Sequence, residues 1–458
     1  MGKLFGTDGV RGVVGRELTP ELALRLGRAI GAYFGSGARV LVGRDVRSGG
    51  DMLASAVISG MLAEGVRVYY AGLAPTPAIQ YNVKYLGFDG GVIVTASHNP
   101  PEYNGIKVVA SDGVEISRKD EEIIEEYYFE GKASTLPWRS LSEDASLRTD
   151  IIENYVNAIT NNVDRDLIAK KGFKVVVDCA NSVGALATPL VLRRLGVKVI
   201  SVNCHLDPTF PGREPEPTPS TLALTARIVR EAGADLGLGH DGDADRAILI
   251  TETGEVLWGD RSGCLLTEFA ARVWRELPKR AYTGVSSSIV VEDYLRPRGI
   301  EVVWTPVGSV VISRMIIEAG GAVSGFEENG GYMHIPHQIV RDGAMKAALT
   351  LYMMAHDNVK LGELAGKLPR YYTIKTKIPA TRDEALCAVR AVKKHYSEYR
   401  LVTIDGVKVM GDGWWVLVRP SGTEPVVRIM LEAKSKEEAE RLLGDVKSVI
   451  KSECGLGG

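Results

Sequence analysis

The sequence predicts an α/β protein made of three related α/β/α domains with mixed sheets, followed by a smaller C-terminal α+β domain. Three observations carry this. At 458 residues the chain is too long for a single hydrophobic core, and roughly 150 residues per domain gives about three units with room for a fourth. A strand-helix-strand plan, closing each time on Gly-(Val/Ile)-x-Val, recurs three times. After Pro369 the texture changes to short β-rich runs around two helices.

The first copy runs from the β-rich stretch Val40-Leu41-Val42 through D-M-L-A-S-A-V-I-S-G-M-L-A-E to Gly65-Val66-Arg67-Val68. The second runs from Val175-Val176-Val177 through A-T-P-L-V-L-R-R-L to Gly196-Val197-Lys198-Val199. The third goes from Tyr282-Thr283-Gly284-Val285 through Ile289 to Leu295 and on to Gly299-Ile300-Glu301-Val302. Such units cannot cover both faces of their own sheets, so further helices, among them Pro20 to Phe34 and Glu121 to Tyr128, must pack on them. Three unrelated units in one large sheet is the competing reading. In the last domain, strands are expected at Tyr371 to Ile378, Val407 to Met410, Trp414 to Val418 and Val427 to Ala433, with helices at Arg382 to Ser397 and Lys436 to Lys451. The expected boundaries are 1–150, 151–252, 253–368 and 369–458.

Composition narrows the class of partner. Lys plus Arg (55) nearly balances Asp plus Glu (57), with no long run of either sign, so neither a nucleic acid backbone nor a membrane surface is an expected partner, and small molecules are. No stretch of 18 apolar residues and no apolar signal core occur, and a cytoplasmic protein is expected. The five cysteines are odd in number, scattered and never spaced C-x-x-C, which reads as neither a disulfide framework nor a zinc site but as a reducing compartment. Only two glutamines occur, one mark of a thermophilic source.

Four stretches carry chemistry. Asp241-Gly242-Asp243-Ala244-Asp245-Arg246 alternates three carboxylates around a tight loop, a donor set suited to a hard divalent cation such as Mg²⁺ completed by a phosphate oxygen. An EF-hand competes, with Glu252 at loop position 12, but position 6 is Arg246 and Ala247 to Ile250 reads as a strand; a plain Asp/Gly hairpin turn is the other alternative. In R-P-S-G-T-E-P, residues 419 to 425, Arg419 and the following Arg428 offer guanidinium forks, while Ser421, Gly422 and Thr423 can form an anion nest; an ordinary turn also fits. G-F-E-E-N-G-G, residues 325 to 331, offers sugar hydroxyls two carboxylates and an amide, or is a surface turn. F-G-T-D-G-V-R-G, residues 5 to 12, sets Arg11 in what reads as a glycine-rich loop.

The apolar run Gly-Val-Ile-Val delivers Ser97 into T-A-S-H-N-P-P-E-Y-N-G-I-K. No G-x-S-x-G elbow surrounds it, and its neighbour His98 is poorly placed to act as its base. A serine without a base can instead start phosphorylated. The aspartates would then hold Mg²⁺ against that phosphoryl group and the basic nest would hold a second phosphate on the same substrate.

In T-A-S-H-N-P, D-G-D-A-D-R, G-F-E-E-N-G-G and R-P-S-G-T-E-P, taken in order, the chain resembles the α-D-phosphohexomutase superfamily, closest to its phosphomannomutase/phosphoglucomutase members in T-A-S-H-N-P-P-E-Y-N-G-I-K and to its phosphoglucosamine mutases in G-T-D-G-V-R-G. The resemblance implies four domains around a central active-site cleft. It implies that Ser97 is the phosphoserine, that Ser97, Asp241, Asp243 and Asp245 together hold one Mg²⁺, and that Arg246 sits beside them. Lys107, Arg11 and His98 become the remaining candidates around the transferring group. Glu327 and Asn329 would read the sugar, and Arg419, Ser421, Gly422, Thr423 and Arg428 would hold the idle phosphate. The implied reaction interconverts mannose or glucose 1- and 6-phosphates, or the glucosamine phosphates, through a hexose 1,6-bisphosphate that also serves as activator, in a monomer or homodimer. The chain departs from the pattern at Asn329, Gly331 and Ser309, where bacterial relatives commonly carry Ser and His and some carry His, respectively. A metal-dependent phosphatase and a silent sugar-phosphate sensor are the rival readings.

Overall fold

The computed structural model describes residues 4–6, 8–131, 133, 136–142, 145–421 and 425–456. Within these residues the strands form four sheets. The first contains β1 (Val10–Val13), β2 (Arg39–Arg44), β3 (Arg67–Leu73), β4 (Gly90–Val94), β5 (Tyr103–Ala110) and β6 (Ala145–Leu147), in the order β1-β5-β4-β2-β3-β6. The second contains β7 (Lys174–Asp178), β8 (Lys198–Val202), β9 (Leu236–His240), β10 (Ala247–Thr251) and β11 (Val256–Leu257), in the order β11-β10-β9-β7-β8. The third orders β12 (Arg280–Gly284), β13 (Glu301–Thr305), β14 (Ser324–Phe326) and β15 (Tyr332–His334) as β13-β12-β14-β15.

One four-strand unit is built into all three. Its first strand pairs in parallel with the second on one side and the third on the other, and the third turns back as an antiparallel hairpin into the fourth. The repeats legible in the sequence are the first strand, crossover helix and second strand of this unit. The hairpin that follows carries the candidate chemistry each time: Ser97 lies between β4 and β5, Asp241 to Arg246 between β9 and β10, and Glu327 to Gly331 between β14 and β15. Equivalent positions in three related folds thus face one another.

The fourth sheet is antiparallel throughout, with β16 (Tyr372–Pro379), β17 (Arg400–Val402), β18 (Val407–Gly411), β19 (Trp414–Pro420) and β20 (Val426–Ala433) ordered β16-β20-β19-β18-β17. β19 ends at Pro420 and its antiparallel neighbour β20 begins at Val426. The period-two alternation along β19 sorts its side chains: Val416 and Val418 pack with Val392 and Val446 of the domain's own helices, whereas Trp415 and Leu417 join the large apolar cluster shared by the other domains. That cluster runs from Leu41 and Ile79 through Tyr155 and Leu249 to Phe326 and Leu349, so the domains share a core at their junction.

Two expectations are corrected. The N-terminal stretch around Arg11 is not only a loop: β1 begins at Val10 and pairs antiparallel with β5, placing Arg11 opposite Gly105. The cysteines do form disulfides, Cys179 with Cys204 and Cys387 with Cys454, leaving Cys264 free and buried. Sequence spacing hid both pairs because each is made by tertiary neighbours: Cys179 and Cys204 follow the adjacent parallel strands β7 and β8, and Cys387 and Cys454 lie on the two packed helices of the last domain, Arg382–His395 and Lys436–Cys454. Intracellular proteins of hyperthermophiles also carry disulfides, so the pairs do not decide the compartment. Among the described residues no helix is long and apolar enough to cross a membrane.

Candidate active site

Ser97 is fully buried and sits at φ 51°, a left-handed conformation that costs a non-glycine residue free energy and persists only where its surroundings impose it. Its amide donates to Thr95 Oγ1 at 2.9 Å. The loop around it is gathered by Arg47, whose guanidinium donates to the carbonyls of Ser97 at 2.7 Å, Asn99 at 2.6 Å, Pro100 at 2.7 Å and Tyr103 at 3.0 Å, while Asp45 pairs with its Nε at 3.2 Å. Held this way, Ser97 Oγ donates to Asp241 Oδ2 at 2.7 Å and lies 3.3 Å from His98 Nδ1. Arg246, burial and Arg11 all oppose charge on the His98 ring and push its pKa down to about 2, so it is a neutral neighbour and a weak base.

The three aspartates are buried, with one oxygen of each within 4.8 Å of the others. Gly242 allows this approach: a Cβ there would lie 2.4 Å from the Ser97 carbonyl oxygen. Each carboxylate is pinned by one set of partners. Asp241 receives Ser97 Oγ on Oδ2 and the Arg246 amide on Oδ1 at 3.1 Å. Asp243 Oδ2 receives Thr76 Oγ1 at 2.7 Å and Lys107 Nζ at 3.4 Å, and Asp245 Oδ2 receives Arg341. Asp243 Oδ1 and Asp245 Oδ1 are buried without a hydrogen-bond partner. Two orphaned carboxylate oxygens beside a third carboxylate and a serine oxygen match the hard, all-oxygen donor set of Mg²⁺. Burial and the charges of Asp245 and Asp243 push Asp241 well above the usual carboxylate range, a repulsion that a divalent cation removes.

Cations ring the cluster. Lys107 Nζ lies 3.2 Å from Asp8 Oδ1 and 3.9 Å from Asp245 Oδ2; burial opposes its charge, but Asp8, Asp243, Asp245 and Glu115 outweigh it and hold the ammonium protonated far above its ordinary value. Arg246 Nε is 3.9 Å from both Asp241 and Asp245. Arg11 pairs with Asp8 and donates to Asn99 Oδ1 and to the Ala96 carbonyl at 3.2 Å, which ties β1 to the serine loop.

Glu327 is buried and meets Arg341 Nη1 at 3.1 Å. Its loop is stitched to the aspartate loop by an antiparallel bridge between Arg246 and Gly331 and by the Ala247 amide donating to the Gly330 carbonyl at 3.3 Å. Asn329 turns its Oδ1 onto the Gly331 amide at 3.2 Å, within its own loop. In the fourth domain Arg419 stands opposite Arg428 across β19 and β20, and Lys377 stands opposite Arg428 on β16, giving a row of three basic residues on the sheet. Arg419 pairs with Asp405 at 3.1 Å, and the Ser421 amide closes the hairpin on the Val426 carbonyl at 2.9 Å. Gly422 and Thr423 lie outside the described residues.

Sequence reasoning did not single out Asp8, Arg47, Thr76 or Arg341. Asp8 stood inside the quoted G-T-D-G-V-R-G stretch. The other three had no local signal, because each acts on a partner at least 50 residues away.

A multidomain α/β scaffold that buries a serine hydroxyl against three carboxylates and a ring of cations belongs to the phosphotransferase class of enzymes. Four profiles match the chain in order: phosphoglucomutase/phosphomannomutase alpha/beta/alpha domain I at residues 2–135, domain II at 153–254, domain III at 258–372 and the C-terminal domain at 375–449. The chain therefore belongs to the phosphoglucomutase/phosphomannomutase family, within the α-D-phosphohexomutases. It is 51% identical to the phosphoglucosamine/phosphogalactosamine mutase of Sulfurisphaera tokodaii, over 99% of this chain and 100% of that one. It is 42% identical to a phosphoglucomutase/phosphomannomutase of Thermococcus kodakarensis, over 97% of each. The crystal structure of a phosphoglucomutase/phosphomannomutase family protein from Burkholderia thailandensis superposes with a TM-score of 0.88 at 26% identity, covering 99% of this chain and 98% of that one.

Proposed function

We propose that this chain interconverts hexose 1-phosphates and hexose 6-phosphates through a phosphorylated Ser97 and a hexose 1,6-bisphosphate that doubles as activator. The observation that carries the reading is the buried Ser97 Oγ, 2.7 Å from Asp241 Oδ2 at the centre of the aspartate cluster. In the first half-reaction the Oγ–P bond of phosphoserine 97 breaks as a P–O bond forms to the free hydroxyl of the sugar monophosphate, and the hydroxyl proton ends on Ser97 Oγ. The bisphosphate then turns end for end and the reverse exchange returns its other phosphoryl group to Ser97. Lys107, Arg246 and Arg11 surround the transferring group and balance its charge. Asp241, Asp243 and Asp245, with an oxygen of the phosphoserine, would hold Mg²⁺, which when bound neutralises charge on the phosphoryl oxygens. Glu327 and Asn329 are assigned to the sugar; Arg419, Arg428 and Ser421, with Gly422 and Thr423, are assigned to the phosphate that is not reacting.

For the sugar, the relative at 51% identity is named for glucosamine and galactosamine, and this reading is placed first. The stretch T-A-S-H-N-P-P-E-Y-N-G-I-K and the relative at 42% identity favour mannose and glucose as the second. The test is peptide mass mapping after incubation with Mg²⁺ and glucose 1,6-bisphosphate, followed by turnover of the four monophosphates. One phosphoryl group on Ser97 and its disappearance with turnover in Ser97→Ala are expected. An unmodified Ser97 in an active enzyme overturns the mechanism, and the ranking of the sugars decides between the two substrate readings.

A further inference from the structure

We propose that Arg341 is a positioning residue that couples the aspartate loop to the sugar loop, so that metal binding and sugar-phosphate binding strengthen one another. The inference rests on the mutase reading above and adds a link between two of its sites.

Arg341 is 5% exposed and its fork is divided between two domains' loops. Nη2 pairs with Asp245 Oδ2, on the loop after β9, and Nη1 pairs with Glu327 Oε2 at 3.1 Å, on the loop after β14. A guanidinium is planar and its two terminal nitrogens have a fixed separation, so one group fixes the spacing between the two carboxylate oxygens it holds. Because Arg341 takes Oδ2 of Asp245, Oδ1, which has no hydrogen-bond partner and only the more distant Arg246 Nε at 3.9 Å, is the oxygen left for a cation. Any shift of Asp245 on binding a metal ion is therefore transmitted through one rigid group to Glu327.

The arginine is itself held from behind. The next residue, Asp342, caps the helix Gly343–Asp357 by accepting the Met345 amide at 2.8 Å, and it also accepts Tyr155 Oη at 2.6 Å and Gln338 Nε2 at 2.8 Å. Gln338 reaches the first domain as well, donating to the Pro77 carbonyl at 3.2 Å. The base of the side chain is thus fixed where three domains meet. Its path is set by Gly331: a Cβ there would lie 2.4 Å from Arg341 Cδ. The glycine at 331 leaves the space the arginine occupies.

The test uses the full-length enzyme, unphosphorylated for the binding measurement so that the sugar phosphate is not consumed, and compares wild type with Arg341→Lys, Arg341→Gln and Gly331→Ala. Calorimetric binding of glucosamine 6-phosphate is measured with Mg²⁺ and with chelator, and the ratio of the two affinities is the coupling. In wild type a ratio of about 10 or more is expected. Arg341→Gln, which breaks the fork, is expected to bring the ratio to near 1, with kcat/KM down about a hundredfold, as a misplaced reacting group predicts. Arg341→Lys should recover only part, because one ammonium cannot serve both carboxylates with fixed geometry. Gly331→Ala keeps the charge but displaces its stem, and should lower the ratio without loss of the folded transition. A wild-type-like ratio in folded Arg341→Gln, or in Gly331→Ala should the former not fold, overturns the inference while leaving the mutase reading intact. A wild-type enzyme that turns over none of the four sugar phosphates overturns the mutase reading instead.

Discussion

At Ser97 the backbone and the side chain are set by different neighbours, and the two can be tested apart. Ser97→Ala removes the oxygen and keeps the loop; Asp243→Asn keeps the shape of the aspartate cluster and removes a charge that Thr76 and Lys107 have organised. Both should leave the thermal transition nearly unchanged while turnover falls by at least about a hundredfold, measured in one coupled assay. Arg47→Lys makes the opposite cut. Four carbonyl oxygens at 2.6 to 3.0 Å converge on one guanidinium, and an ammonium with three donors cannot span them. Leaving one or two buried carbonyls unpaired costs about 1–3 kcal/mol each. Chemical denaturation should show that loss together with reduced turnover, and unchanged stability would refute the role given to Arg47. Ser97 and the aspartates were legible because their chemistry is written in contiguous residues. The departure at Gly331 was legible too, but its physical reason was not, since Arg341 comes beside it only through the fold.

The hairpins explain why chemistry recurs at one topological place. In each unit the third strand, β4, β9 or β14, runs into the loop that carries the candidate chemistry, and the loops meet through Ser97 Oγ on Asp241 and the Arg246–Gly331 bridge. The crossover repeats were readable from hydrophobic period and Gly punctuation. β14 and β15, three residues each, and β17 were not, because strands that short carry too little alternation to register. β1 was hidden by Gly12 within it and Gly9 before it, and it is made by pairing with β5. The contact between the third and fourth domains was equally silent, and it has a buried polar part beside its apolar one. Glu432 accepts Trp415 Nε1 at 2.6 Å and Thr373 Oγ1 at 3.0 Å from its own domain, and Ser288 Oγ at 2.7 Å and the Ile289 amide at 3.2 Å from the third. Lys408 Nζ donates to the Ser287 carbonyl at 2.7 Å between the rings of Trp304 and Trp415. Glu432→Ala leaves four donors without their acceptor and should weaken this docking by about 2–4 kcal/mol. Limited proteolysis across residues 366–371 should then accelerate, and an unchanged cleavage rate would show that the apolar contacts alone hold the domain.

Across the whole molecule, stability depends on groups that composition does not reveal. His334 is buried with neither ring nitrogen partnered, and burial, with the His337 charge, pushes its pKa down to about 3 from an ordinary value near 6.5. The folded state then binds fewer protons than the unfolded one between those values, so this contribution is complete above about pH 6.5 and is lost as pH falls toward 3, by up to about 1.4 kcal/mol per unit. Thermal midpoints taken from pH 7 to 4.5 should fall less steeply in His334→Phe than in wild type. The cysteines make the stronger case, because counting and spacing gave the wrong reading of them. Cys387 and Cys454 are 67 residues apart and join the two helices that cover one face of the fourth sheet, so their bond closes most of that domain into a loop. In the chain-entropy account a loop of this length raises the free energy of the unfolded state by about 4 kcal/mol. Both residues are partly exposed, within reach of a small reductant. Calorimetry in the presence of reductant should show the fourth domain's transition lowered by on the order of 10 °C. Cys387→Ser should reproduce that shift without reductant. Cys179 and Cys204 lie in the second domain and remain paired in the variant, so any further response to reductant should appear in a different transition. A fourth-domain midpoint that is the same in Cys387→Ser and wild type would mean that helix packing, not the covalent link, sets the stability of this domain.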